Sequence, residues 1–312
     1  MKPNKISLYK PVFIVSIYRT GSTLLRNILD KNPFIAMIPE EVHLWNPYLW
    51  RKDVVQLCKK SKLNSQKDIE NLIEMLFSKK LYGPFWKRID EYNIQKDQIL
   101  NQVKILLERK VKLTCVDIVN LIFLEYLRQT DKIFLGAKNP VYASNIQLLE
   151  ELYPGCKIIY LIRDPRAIYL SKTNDEFSRN LKRKINSKSL SNLFDFLTLT
   201  RVILEYTLLF KTYKKNKNKR NLYLVRYEDI VTSPKDTIKR ICVFLNVPFK
   251  VSMLYVTGKP SSINQRASRR SIDPKSAYLW KKRIHPWENL LLTRILYKSM
   301  KEFGYIKESD RA

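Results

Sequence analysis

Arg19, Thr20, Gly21, Ser22 and Thr23 form a short polar turn between two apolar patterns. An apolar run over residues 11–17 precedes it, and Leu24, Leu25, Ile28 and Leu29 follow at helical spacing. A strand that passes through such a turn into a helix offers backbone amides and the positive helix end to an anion. The turn has no Gly-Lys-Ser/Thr, so the usual signature for a nucleoside triphosphate is missing. Three more polar clusters each follow an apolar run: Lys138-Asn139, residues 163–171 with Arg163 and Ser171, and residues 226–229 with Tyr227. Guanidinium groups make paired bonds to phosphates, hydroxyls add donors, and a lysine supplies a point charge. The set therefore suits binding of a multiply charged anion. Glu40, Glu41 and His43 lie in a segment expected to be a loop over residues 32–46.

These clusters must be positioned by a sheet. Strands are expected over residues 12–17, 132–136, 156–162 and 221–227, the third apolar on both faces and so buried on both. Helices are expected to follow them, one opened by Asp164 as cap and Pro165 at the first position. A long helix is expected over 192–211, another over 234–244 and a final one over 288–303. Between about 49 and 130 the spacing is helical throughout, with faces at Ile69, Leu72, Ile73, Leu76, at Ile99, Val103, Leu106, Leu107, and at Ile118, Ile122, Tyr126. Strands alternating with helices predict an α/β fold in which a parallel sheet binds ligands at the carboxyl ends of its strands. The expected organisation is one domain over residues 1–312, with a mostly helical insertion at about 49–130.

With 312 residues, 45% of them hydrophobic and 12% aromatic, the chain is globular rather than disordered. Its formal charge of +29 favours anionic partners. The basic residues are spread along the chain, which argues against a dedicated nucleic-acid surface. Cys58, Cys115, Cys156 and Cys242 lie far apart and only His43 and His285 are present, so no metal is expected. The cysteines are expected to be reduced and mostly buried, in a cytoplasmic protein. No run reaches the ~18 apolar residues of a membrane span. A loose association with an anionic membrane surface stays open.

The residues as ordered resemble the sulfotransferases that use 3′-phosphoadenosine 5′-phosphosulfate (PAPS). Residues 18–24, Tyr-Arg-Thr-Gly-Ser-Thr-Leu, are similar to the family's 5′-phosphosulfate loop. Arg163 followed eight residues later by Ser171 is similar to its 3′-phosphate motif. Residues 227–231, Tyr-Glu-Asp-Ile-Val, with Pro234 and the helix after it, resemble a recurring family segment, and Trp280 and residues 303–305 fit its C-terminal end. The resemblance runs from about 11 to 305, and the stretch from about 50 to 130 carries no family motif.

It implies a three-layer P-loop-like fold and transfer of a sulfuryl group from PAPS to a hydroxyl, releasing adenosine 3′,5′-bisphosphate. Arg19, Thr20, Gly21, Ser22 and Thr23 would hold the phosphosulfate, Arg163 and Ser171 the 3′-phosphate, and Lys138 would stabilise the leaving oxygen. Tyr227 and the basic Ser268, Arg269 and Arg270 are further candidate PAPS contacts. The base stays open: gapless counting from Arg19 favours Glu40, the local Glu-x-His pattern favours Glu41, and His43 is the alternative. The acceptor implied is a small molecule or glycan with a hydroxyl, or a protein tyrosine; the motifs leave its identity and the oligomeric state undefined. The competing readings are a P-loop kinase using ATP, disfavoured by the missing lysine, and a non-catalytic polyanion binder.

Overall fold

Alternate residues of the buried strands face two different cores, and that alternation sets the layers. In the computed structural model, which describes residues 10–45, 53–61, 63–140, 143, 145–185, 187–256 and 272–308, β1 (Val12–Val15) and β4 (Lys157–Ile162) lie inside the sheet. Phe13, Val15, Ile158, Tyr160 and Ile162 enter one apolar cluster. Val12, Ile14, Ile159 and Leu161 enter the other, with Leu25, Ile28 and Leu29. Both faces of these strands are therefore covered, as a parallel sheet requires.

The order along the chain is β1, α1 (Ser22–Asp30), β2 (Ile35–Glu41), α2 (Val54–Lys60), α3 (Gln66–Phe77), α4 (Pro84–Lys87), α5 (Lys96–Glu108), α6 (Cys115–Arg128) and β3 (Phe134–Asn139). Then come α7 (Ile146–Leu152), β4, α8 (Pro165–Thr173), α9 (Glu176–Lys184), α10 (Lys188–Asn216) and β5 (Leu222–Arg226). The chain closes with α11 (Tyr227–Thr232), α12 (Pro234–Leu245), α13 (Pro286–Ile295) and α14 (Tyr297–Glu302). The five strands are all parallel in the order β2-β3-β1-β4-β5. Loops after β1 and β4 leave neighbouring strands on the same edge, where an open α/β sheet forms its crevice.

Helices occupy the stretch between β2 and β3, as the spacing predicts. Ser65 with Asp68 and Thr114 with Asp117 form reciprocal caps that fix the starts of α3 and α6. Ile69, Leu72, Ile73, Leu76, Ile99, Val103, Ile118 and Ile122 are all buried.

Four expectations need correction. Residues 35–41 are a strand, not a loop; Pro39 is tolerated because β2 is the edge of the sheet, where one side needs no ladder donor. The last helix is two, α13 and α14, broken at Leu296. The long helix is longer, reaching Lys188 and Asn216. Cys58 and Cys115 are not reduced thiols but a disulfide joining α2 to α6, since helices 57 residues apart in sequence lie side by side with Cα atoms 5.3 Å apart. The reading of a reducing compartment loses those two cysteines as support. Cys156 and Cys242 are free and buried, as expected. Among the described residues no helix is long and apolar enough to cross a membrane.

Candidate active site

The turn after β1 is built by two left-handed residues, Arg19 at φ 75° and Gly21 at φ 91°. The second position accepts only glycine for a further reason: a Cβ there would stand 2.3 Å from Cδ2 of Tyr227. Tyr227, the first residue of α11, thus closes on the loop from the end of β5. Its ring carries the Arg163 guanidinium at 4.2 Å and its hydroxyl pairs with Ser276 Oγ at 2.8 Å. Tyr227 is a buried buttress that aims Arg163 and holds the loop.

Arg163, just past β4, donates from Nη1 to the Arg19 carbonyl at 3.1 Å and from Nη2 to the Ser276 carbonyl at 3.3 Å. Its Nε is buried with no partner among the described residues, and so is Ser16 Oγ at the start of the loop. Arg19 Nε donates to Ser171 Oγ at 3.0 Å, across 152 residues of sequence. The loop, Arg163 and Ser171 therefore meet in one place. Burial holds the Arg19 guanidinium below its usual value; Asp175 opposes this, and the nearby Arg163 charge adds to it. Two close, partly desolvated cations with unpaired buried donors favour a multiply charged anion between them.

At the ends of β2 and β3, Glu41 lies opposite Lys138 in the sheet register. Lys138 Nζ donates to Glu41 Oε1 at 2.8 Å, and His43 Nε2 stands 2.9 Å from Glu41 Oε2. All three side chains are buried. Burial pushes the Glu41 carboxyl up, but the Lys138 charge and the hydrogen bonds from His43 and Lys138 outweigh it and hold it at about 2. Glu40 is elsewhere, paired with Arg88 at 3.0 Å. Of the two acids, only Glu41 adjoins the buried lysine.

The helical segment between β2 and β3 reaches this corner. The Tyr82 ring packs 4.7 Å from His43, Gly83 abuts the His43 Cβ, and Arg88 holds Glu40. None of these contacts was visible in the spacing, and Ser276 was missed as well: its partners lie 49 and 113 residues away.

The fourth cluster divides. Tyr227 joins the anion site, whereas Arg226 stacks on Tyr305 at 4.6 Å and Glu228 accepts from Tyr305 Oη at 3.0 Å. Glu228 also accepts the Asp164 amide at 3.0 Å, and Arg166 binds Asp164 while stacking on Trp280 at 4.0 Å. These contacts tie the C-terminal segment to the end of β4. Ser268, Arg269 and Arg270 lie outside the described residues. No group of His, Cys, Asp and Glu that could hold a metal occurs among the described residues.

Comparison with known proteins gives the family and the fold. Residues 11–251 match the model of the Sulfotransferase family. The omega-hydroxy-beta-dihydromenaquinone-9 sulfotransferase Stf3 of Mycobacterium bovis is 25% identical over 252 residues, covering 74% of this chain and 61% of that protein. The Mycobacterium tuberculosis protein of the same name matches equally. The aligned part thus spans about three fifths of the curated relatives' length. Among solved structures, the sulfotransferase domain from the curacin biosynthetic pathway superposes with a TM-score of 0.57 at 20% identity, over 94% of this chain and 98% of that one. The sulfotransferase domain of the Synechococcus PCC 7002 olefin synthase gives 0.51 at 20% identity, over 95% and 98%. Both likenesses establish the fold: a parallel sheet between helical layers.

Proposed function

Because the chain belongs to the sulfotransferase family, we propose that it transfers a sulfuryl group from PAPS to an acceptor hydroxyl and releases adenosine 3′,5′-bisphosphate. The observation that carries this reading is the meeting of Arg19, Arg163 and Ser171 around a loop without the triphosphate lysine. A 3′-phosphate needs donors beyond the loop, and Arg163 with Ser171 supplies them. An ATP kinase would need the loop lysine and a metal-binding acid instead.

In this reading the amides of residues 20–23 and Arg19 hold the phosphosulfate. Glu41 takes the proton from the acceptor hydroxyl as its oxygen forms a bond to sulfur. The bond from sulfur to the 5′-phosphate oxygen breaks, and Lys138 offsets the charge that develops on that oxygen. Lys138 already reaches Glu41, so moving it onto the leaving oxygen would free the carboxylate to act as a base, raising its affinity for a proton.

The chain is read as a single domain whose helices between β2 and β3 form an insertion. Contacts of Tyr82, Gly83 and Arg88 with His43 and Glu40 support a reading in which that insertion borders the acceptor's entry. The Mycobacterium relatives are named for an omega-hydroxy-beta-dihydromenaquinone-9 acceptor. A small hydrophobic alcohol is accordingly the first acceptor class to try, ahead of glycans and tyrosyl peptides. The test is a screen of such acceptors with PAPS and purified protein, following adenosine 3′,5′-bisphosphate and the sulfated product. A sulfated alcohol is expected; ADP formed from ATP with the same acceptors, and no sulfation, would overturn the assignment.

A further inference from the structure

α10 is apolar on two opposite faces. Leu199, Val202, Tyr206 and Leu209 are buried against the core. At helical periodicity Leu190, Leu193, Leu197, Leu204 and Leu208 fall on the other side, within an arc of about 60°. Each is at least half exposed, Leu204 by 70%. A helix face meeting only water carries charges, not five leucines. The apolar surface extends on one flank, where Phe210 and Lys211 share a groove with Leu290 and Ile295 of α13, the last two exposed.

The charges around this surface select its occupant. Lys211 and Lys215 continue the leucine stripe toward the end of α10, and both are exposed. Arg183, Lys184 and Lys188, also exposed, frame its beginning. A second copy of the chain would bring these cations against their like, in a protein of net charge +29. An anionic bilayer satisfies both parts: leucines enter the boundary between headgroups and acyl chains, while lysine stems run along it and place their ammonium groups on phosphates. We propose that the exposed face of α10 and α13 is a docking surface for an anionic phospholipid membrane, on which the protein lies without crossing. The same helix borders the anion site, since Glu205 of α10 pairs with Lys172, the residue after Ser171. The proposal does not depend on the reaction assigned above.

Co-sedimentation with vesicles tests it. The full chain is expected to bind vesicles of phosphatidylglycerol and phosphatidylcholine at least about tenfold more strongly than phosphatidylcholine alone, and less so in high salt. L197E/L204E is expected to lose roughly tenfold or more of that binding with an unchanged melting temperature, because both positions are exposed. K211Q/K215Q, which leaves the leucines in place, is expected to lose most of the preference for anionic vesicles. Failure of the wild type to bind anionic vesicles would overturn the proposal. So would undiminished binding by both variants, or a wild-type dimer that L197E/L204E dissociates without any lipid binding.

Discussion

Glu41→Gln is expected to lower turnover by about 10²–10⁴-fold, the usual worth of a positioned base, while Glu40→Gln changes it little. The two acids are adjacent in sequence but point to different partners. Glu41 joins Lys138 at 2.8 Å and His43 at 2.9 Å, whereas Glu40 is taken up by Arg88. The substitution also leaves the buried Lys138 without its counter-charge, a change that costs about 3–5 kcal/mol when a buried pair is broken. Retention of the thermal shift given by adenosine 3′,5′-bisphosphate therefore accompanies the rate measurement, to separate lost chemistry from lost fold. Holding the Glu41 carboxyl at about 2 has a pH consequence. Its folded value lies below the unfolded one of about 4.3, so its contribution to stability is complete above that unfolded value and disappears as pH falls through about 2. In the unliganded protein Glu41 stays ionised throughout the neutral range. Full activity in the Gln variant would remove Glu41 from the mechanism.

Arg163→Ala is expected to weaken binding of adenosine 3′,5′-bisphosphate by roughly 10–100-fold, the range of one or two charge-assisted hydrogen bonds. Most of the ligand-induced rise in melting temperature disappears with it. The guanidinium lies over the Tyr227 ring and spans the Arg19 and Ser276 carbonyls, so it is held rather than free to wander. Arg163→Lys should not restore the affinity, because an ammonium cannot stack on the ring and reach two oxygens at once. Ser171→Ala removes one neutral donor and is expected to cost less, about tenfold at most. An Arg163→Ala protein that binds the nucleotide as tightly as the wild type would place the 3′-phosphate elsewhere.

Much of this arrangement was legible from residue types alone. The apolar runs around Ile14 and Ile159 mark strands buried on both faces, and the polar residues that end them mark the crevice. Arg19 and Arg163 could be grouped because each stands at such a transition, and Ser171 because it follows Arg163 by eight residues, as in the 3′-phosphate motif it resembles. The edge strand could not be read. Pro33, Pro39 and two acids mask residues 35–41, and only pairing with β3 reveals them as β2.

The same strand explains why spacing left Glu40 and Glu41 undecided. Met37 is opposite Gly136 and Glu41 is opposite Lys138, so β2 spends four residues where β3 spends two. That irregularity turns Glu41 toward the lysine, and no residue count foresees it. Tyr227, a candidate ligand contact, also packs its ring on Gly21 and Arg163, a role invisible without the fold. The Cys58–Cys115 bond was missed because proximity of α2 and α6 is a property of helix packing, not of sequence distance. The leucine stripe of α10 was hidden by the helix's own buried face, since apolar residues on both sides leave no clear period to detect.

On the proposed function, the loop after β1, with Arg163 and Ser171, serves a nucleotide bearing a 3′-phosphate. Calorimetric titration of the purified protein with adenosine 3′,5′-bisphosphate and with ADP tests it most directly. The two ligands differ chiefly in where the second phosphate sits. The 3′,5′-bisphosphate is expected to bind roughly 100-fold more tightly, a difference of about 2.7 kcal/mol. Equal affinities, or tighter binding of ADP, would contradict the account.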